Sequence, residues 1–283
     1  MAGTLYLVPT PIGNLGDISP RAEETLRQAD FIAAEDTRVT VKLLNHLDIK
    51  KPMTTYHRHN CESAGPAILR RLLAGESCAL VTDAGTPAIS DPGEDLVALC
   101  AAQGVPVVPI PGPCALIAAL SASALPTGRF TFEGFLPMNR KNRRAQLAEL
   151  AQERRTMIFY EAPHKLRSTL EDLEEVFGGT RRLSLCRELT KLHEEILRTT
   201  VADARAYYAQ CEPRGEFVLV VEGAAEETAE ERPIDAAMAR VRQLREEGTS
   251  LKEASAAAAK EFGLRRRELY DLAIGKGGAD AGE

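Results

Sequence analysis

Apolar and polar positions along this chain follow two rhythms. Short runs rich in aliphatic and β-branched residues, "TLYLVPT", "ADFIAAED", "MTTYH", "CALVTDA" and "VPVVPIP", read as strands. Between them, helical spacing predicts helices over Pro20 to Gln28, Thr40 to Leu47, Glu62 to Ala74 and Glu94 to Gln103. Ser19 followed by Pro20 supplies a cap and then a proline at the first helical position. Alternation of this kind predicts an α/β fold with parallel sheets and crossover helices. After Pro126 the rhythm restarts with "RFTFEGFL", "TMIFYEA", "RLSLCREL", "EILRTTV" and "EFVLVVEG". A joint is therefore expected near residues 120–128, giving an N-terminal α/β domain over 1–122 and a second over 123–223. The acidic stretch "AAEETAEERP" lacks apolar periodicity, and residues 224–234 read as a linker. Residues 235–283 read as a small helical domain, in which "SLKEASAAAAKEFGLRRRELYDLAI" divides about Gly263 like a helix-turn-helix.

Composition narrows the picture. The 283 residues suffice for two α/β domains. No apolar run is long enough to cross a bilayer, so no membrane partner is expected. The opening "MAGTLYLVPTPIG" lacks a basic leader region and reads as a first strand. Six cysteines lie far apart and form no CxxC pair, which disfavours a disulfide framework or zinc site and fits a reducing cytoplasm. The net charge of −6 disfavours a protein coated in nucleic acid but leaves room for a local basic patch.

Four loops carry the candidate chemistry: "VPTPIGNLGD" (8–17), "AEDTR" (34–38), "TDAGTPAISDPG" (82–93) and "PIPGPCALIAAL" (109–120). Each falls where a strand should end, and in open parallel sheets the ligand crevice lies outside those ends. Proline and glycine also simply punctuate turns; four such loops together predict one shared site. The first loop holds Gly13 and Gly16, but it is neither GxGxxG nor followed by a Walker lysine, so a phosphate cradle is not expected. Rigid loops of small residues with few cations suit an uncharged or cationic ligand.

In this order the four loops resemble the tetrapyrrole methylase superfamily. With "FEGFLP", "FYEAPHKL" and "CRELTKLHEE", the resemblance narrows to a branch that 2'-O-methylates a cytidine ribose in small-subunit ribosomal RNA. It covers nearly the whole chain and is weakest after residue 224. The resemblance implies a two-domain, class III S-adenosylmethionine-dependent methyltransferase with the cofactor in the interdomain cleft, a small C-terminal helical domain, and a homodimer. It implies cofactor contacts from Pro11, Ile12, Asp83, Gly85, Thr86, Pro87, Ile89, Ser90, Cys114, Ala115 and Glu161. The chain departs from the superfamily at Thr86, where a Gly-Asp-Pro turn would carry aspartate, and at Pro9 to Gly13, where the superfamily has a glycine-rich run. Asp83 and Asp91 flank the altered turn.

Methyl transfer from a sulfonium to a hydroxyl is an in-line displacement, so alignment comes first. A general base would add roughly 10²–10⁴-fold. Base candidates are Glu35, Asp36, Glu161, Glu188 and Lys191, with His164 a weaker one. Asp36 and Arg38 occupy a strand-end loop; Glu188 and Lys191 lie in "CRELTK", where Arg187 and Glu188 could equally form an interdomain ion pair. No cluster has metal-ligand spacing, so no metal is expected. An RNA partner, either ribosomal RNA or the small (30S) subunit, needs cations on its phosphates. "NRKNRR" offers Arg140, Lys141, Arg143 and Arg144, with lesser clusters at Arg154-Arg155, Arg181-Arg182 and Arg265 to Arg267. Two rivals remain open at this point: a corrin-ring methylase, which would have no use for that segment, and a non-catalytic RNA-binding factor, which would need no cofactor pocket.

Overall fold

The computed structural model describes residues 1–225 and 233–274. It divides into two compact units, Met1–Ala224 and Ala225–Glu283. The expected linker falls mostly at 226–232, outside the described residues.

The first unit holds two five-stranded sheets. Sheet one comprises β1 (Leu5–Leu7), β2 (Phe31–Ala34), β3 (Met53–Thr55), β4 (Cys78–Val81) and β5 (Val107–Pro109), in the order β3-β2-β4-β1-β5, every pair parallel. All residues of β2 and β4 are buried, as continuous apolar runs in a sheet covered on both faces should be. Phe31, Ala33 and Leu80 pack into one core, while Ile32, Ala34, Ala79 and Val81 pack into the core on the opposite face. The covering helices are α1 (Pro20–Gln28), α2 (Thr37–His46), α3 (Cys61–Leu73) and α4 (Glu94–Ala102). Ser19 Oγ accepts from Ala22 N at 3.1 Å and starts α1 where the sequence placed it. Helix α2 begins three residues before its expected start because Asp36 caps it, accepting from Arg38 N at 2.8 Å.

Sheet two comprises β6 (Phe130–Phe135), β7 (Thr156–Glu161), β8 (Arg182–Arg187), β9 (Glu195–Thr200) and β10 (Phe217–Val221), ordered β6-β7-β10-β8-β9. Only β6 and β7 pair in parallel; the other pairs are antiparallel. The parallel pattern expected of the whole chain therefore stops here. For the β8–β9 pair the reason is local: the two strands are joined by a helix-free loop, which suits a hairpin and not a crossover. Helices α6 (Arg140–Glu149), α7 (Pro163–Phe177) and α8 (Val201–Gln210) lie in the same unit, and their apolar residues share one core with β10. Helix α5 (Ala115–Ala122) packs Leu116, Ala119 and Leu120 against Ile158, Val218 and Val220. It thus belongs by packing to the second sheet, although the chain joint was expected only after it.

The second unit is built from α9 (Pro233–Glu246), α10 (Leu251–Glu261) and α11 (Arg266–Ala273). Ala237, Val241, Ala254, Ala258 and Leu269 form its small core. Among the described residues, no helix is long and apolar enough to cross a membrane.

Candidate active site

The four strand-end loops are stitched to one another. Thr10 and Gly85 exchange backbone hydrogen bonds of 2.9 and 3.0 Å, joining the first loop to the third. Thr82 Oγ1 donates to Glu35 Oε2 at 2.7 Å and Asp36 N donates to Asp83 Oδ1 at 3.1 Å, joining the third to the second. Thr86 Oγ1 donates to the Pro113 carbonyl at 2.9 Å, joining it to the fourth.

These loops form one wall of a cavity of about 520 Å³, within the range of small-molecule sites. Tyr160, Glu161, Phe217 and Val218 of the second sheet form the other wall. Of the residues assigned to the cofactor from sequence, Ile12, Asp83, Gly85, Thr86, Ile89, Ser90, Cys114, Ala115 and Glu161 line it; Pro11 and Pro87 sit in the same loops without lining it. Phe135, Tyr160 and Glu216 line it too and were not foreseen. Cys114 ends its loop just before α5, where no side chain caps the helix. The Leu116 amide donates instead to Tyr160 Oη at 3.2 Å, and burial raises the phenol's pKa.

Charge inside the cavity is one-sided. Glu35, Asp83 and Asp91 all line it. Burial, then the charge of Glu35, pushes the Asp91 carboxyl up to about 6. The same causes, in the same order, raise Asp83. Gathered carboxylates with raised pKa values favour a cationic occupant, which is what a sulfonium carries. Glu161, on the opposite wall, is buried: its carboxylate accepts from Thr169 Oγ1 at 2.6 Å and from Ala162 N at 2.9 Å, and it meets Lys165 Nζ at 3.3 Å. No other base candidate from the sequence is so fully built into the protein. His164 is exposed at the start of α7.

The catalytic candidates stand just behind the walls. Asp36 and Arg38 form a pair at 2.6 Å, with Arg38 88% exposed; the guanidinium holds the Asp36 carboxyl down to about 2. Glu188 accepts from Lys191 Nζ at 2.8 Å and from the Glu216 amide at 3.0 Å, and its pKa is lowered, chiefly by Lys191. Lys191 also meets Glu216 at 2.9 Å. Burial works against its charge, but Glu188 and Glu216 outweigh it and raise its pKa. Lys191 packs on the first loop, since any side chain at Gly13 would collide with its Cγ. Non-glycine residues with positive φ gather here: Ala88, Ser90, Glu188 and Thr190, at 66°, 64°, 51° and 65°. Strained backbone held by its surroundings clusters at functional sites. Among the described residues, no group of three or more His, Cys, Asp or Glu could hold a metal.

The basic segment is partly committed elsewhere. Arg143 is 3% exposed and pairs with the wholly buried Asp172 of α7 at 2.7 Å; Arg140 meets the same carboxylate at 2.9 Å. Arg144 pairs with Glu175. The expectation that all four cations face RNA therefore fails for Arg143, whose burial clamps α6 to α7. Lys141 has no ion pair among the described residues, and Arg140 and Arg144 keep 57% and 43% of their side chains exposed.

Two α/β sheets thus enclose one acid-lined cavity. Residues 4–205 match the family model for Tetrapyrrole (Corrin/Porphyrin) Methylases, and the chain belongs to that family. Residues 231–276 match the RsmI C-terminal HTH domain. The chain is 50% identical over 275 residues to ribosomal RNA small subunit methyltransferase I of Synechocystis sp., covering 96% of this chain and 98% of that protein. It is 48% identical to the protein of the same name from Pseudomonas aeruginosa, over 98% and 99% of the two chains. Among solved structures, the methyltransferase CobJ superposes with a TM-score of 0.60 at 19% identity, over 79% of this chain and 95% of that one. Uroporphyrin-III C-methyltransferase from Thermus thermophilus, complexed with S-adenosylhomocysteine, superposes with a TM-score of 0.54 at 18% identity, over 78% and 97%.

Proposed function

We propose that this chain transfers a methyl group from S-adenosylmethionine to the 2'-hydroxyl of a cytidine in small-subunit ribosomal RNA. One contrast carries the choice of substrate. Identity over nearly the whole chain to the relatives named for ribosomal RNA is 48–50%, against 18–19% to the two solved methyltransferases, a likeness of fold alone. A non-catalytic binding factor would have no need of a stitched, acid-lined cavity.

The cofactor supplies an electrophilic methyl on a positively charged sulfur, and the Glu35, Asp83 and Asp91 wall suits that charge. When such a methyl is delivered to the ribose oxygen, this chain's own residues would have to receive the hydroxyl proton. Lys191, a cation at neutral pH, cannot accept it. Asp36, held at about 2, is a weak base. Asp91, which lines the cavity beside Glu35 and Asp83 and is raised by burial to about 6, is the carboxylate we assign to take the proton. In this reading the Asp36–Arg38 and Glu188–Lys191 pairs position the acceptor, with Arg38 and Lys191 offering cations to its phosphates. Lys141, Arg140 and Arg144 extend that path, and the enzyme works as a cytoplasmic homodimer on the small subunit.

The test is to map 2'-O-methyl marks on ribosomal RNA from cells with and without the chain. Purified protein is then assayed on unmethylated small subunits, on naked RNA and on a precorrin. Loss of one cytidine mark, restored in vitro only on RNA or subunits, is expected. Methylation of the precorrin alone would overturn the reading.

A further inference from the structure

Strand β6 ends in a bulge that re-aims one aromatic ring. Phe132 pairs with Ile158 and Phe135 with Tyr160, so three residues of β6 span what two cover on β7. The irregularity falls between Phe132 and Gly134, and Gly134 has a φ of 64°, open to glycine at little cost. Without the extra residue, alternation would send Phe135 to the face opposite Phe132. With it, both rings lie on the Tyr160 face, in T-shaped contact with that ring at 4.9 and 5.5 Å. Their fates then differ: Phe132 packs into the core beside α5, whereas Phe135 lines the cavity and stays 56% exposed. Lys165 Nζ stands 5.9 Å over the Phe135 ring, and Glu161 anchors that lysine at 3.3 Å. A large ring held in place, half in water and at the edge of a ligand cavity is unexplained by core packing.

We infer that Phe135 is the platform on which the acceptor's unpaired nucleobase stacks, placing the ribose of that nucleotide at the cavity. This rests on the RNA reading above. Enzymes that modify a nucleotide draw it out of its stack and offer aromatic faces in exchange. Lys165 beside the ring suits the adjoining phosphate.

The experiment measures methylation of unmethylated small subunits by the full-length protein carrying Phe135→Ala, Phe135→Leu or Phe135→Tyr. Loss of one stacked base should lower kcat/KM of the alanine and leucine variants by roughly 5- to 150-fold. The tyrosine variant should stay close to wild type, and in the alanine and leucine variants cofactor affinity by calorimetry should fall far less than kcat/KM. Wild-type kinetics in Phe135→Ala, full activity in Phe135→Leu, or loss of cofactor affinity in step with turnover would each overturn the platform. If the wild-type protein transfers no methyl to ribosomal RNA, the functional reading falls first and the platform with it.

Discussion

Thr10 and Gly85, far apart in the chain, exchange both backbone hydrogen bonds, at 2.9 and 3.0 Å, while Thr10 Oγ1 donates to the Thr82 carbonyl, 72 residues on, at 3.0 Å. This short antiparallel bridge fixes the first cavity loop against the third. Gly85 has a φ of 88°, and a Cβ there would press on Ile12 Cγ2 at 3.4 Å. Replacing Gly85 with arginine should lower S-adenosylmethionine affinity by at least about 10-fold, because strained backbone and added bulk both fall on the cavity wall. Calorimetry reads the affinity and circular dichroism checks the fold. Unchanged affinity in a native-like variant would remove this loop from the cofactor site.

Asp91 gives a stability signature that does not depend on catalysis. Its proton leaves near the ordinary carboxyl value of 3.8 in the unfolded chain and near 6 in the folded one. Between those values the folded state binds more protons, so stability falls as pH rises through that window. Asp91→Asn removes the buried charge and should stabilise the protein at pH 8 by on the order of 1 kcal/mol, after discounting for solvent screening. At pH 4 the two proteins should melt alike. A constant difference across both pH values would contradict the raised carboxyl.

Glu188→Gln distinguishes positioning from proton transfer. Glu188 holds Lys191 and the Glu216 amide but does not itself line the cavity. The variant should keep cofactor affinity and lose roughly 10-fold in turnover, well short of the ~10²–10⁴-fold due to a lost general base. A loss of the larger size, shrinking as pH rises, would make Glu188 the base after all.

Arg143 and Lys141 should separate stability from RNA binding. Arg143→Met strips one partner from the buried Asp172 and should cost about 3 kcal/mol in chemical denaturation, the low end for a broken buried pair because Arg140 remains. Lys141→Ala should leave stability alone, weaken small-subunit binding and reduce the log–log salt slope by about 1. An unstable lysine variant, or a stable Arg143→Met, would reverse these assignments.

Much of the first half was legible in the sequence because its signals are local. Ser19-Pro20 marks a helix start, and short apolar runs such as "FIAA" and "CALV", bounded by polar residues, read as interior strands. Three of the four cavity loops were legible for the same reason, announced by proline and glycine at a strand end, while "AEDTR" was marked only by charged residues closing an apolar run. What escaped depends on pairing between distant segments. The antiparallel hairpin of β8 and β9 leaves no periodic mark in "CRELTKLHEE". The burial of Arg143 required knowing that Asp172, 29 residues on, would lie opposite. Phe135 was hidden because simple alternation along "FTFEGF" puts it on the wrong face. The one available signal was Gly134, a glycine inside a strand, which marks a bulge.

The cavity's two walls belong to two different sheets, and this has a consequence for how the protein breathes. Each sheet has its own cores and can open locally at its own rate. A ligand touching both walls is lost when either opens, so its binding energy opposes both openings at once. Amide exchange in β4 and β7, uncoupled while the cavity is vacant, should slow together as cofactor is added. Two neighbouring sheets then behave as one cooperative body for as long as the methyl donor stays between them.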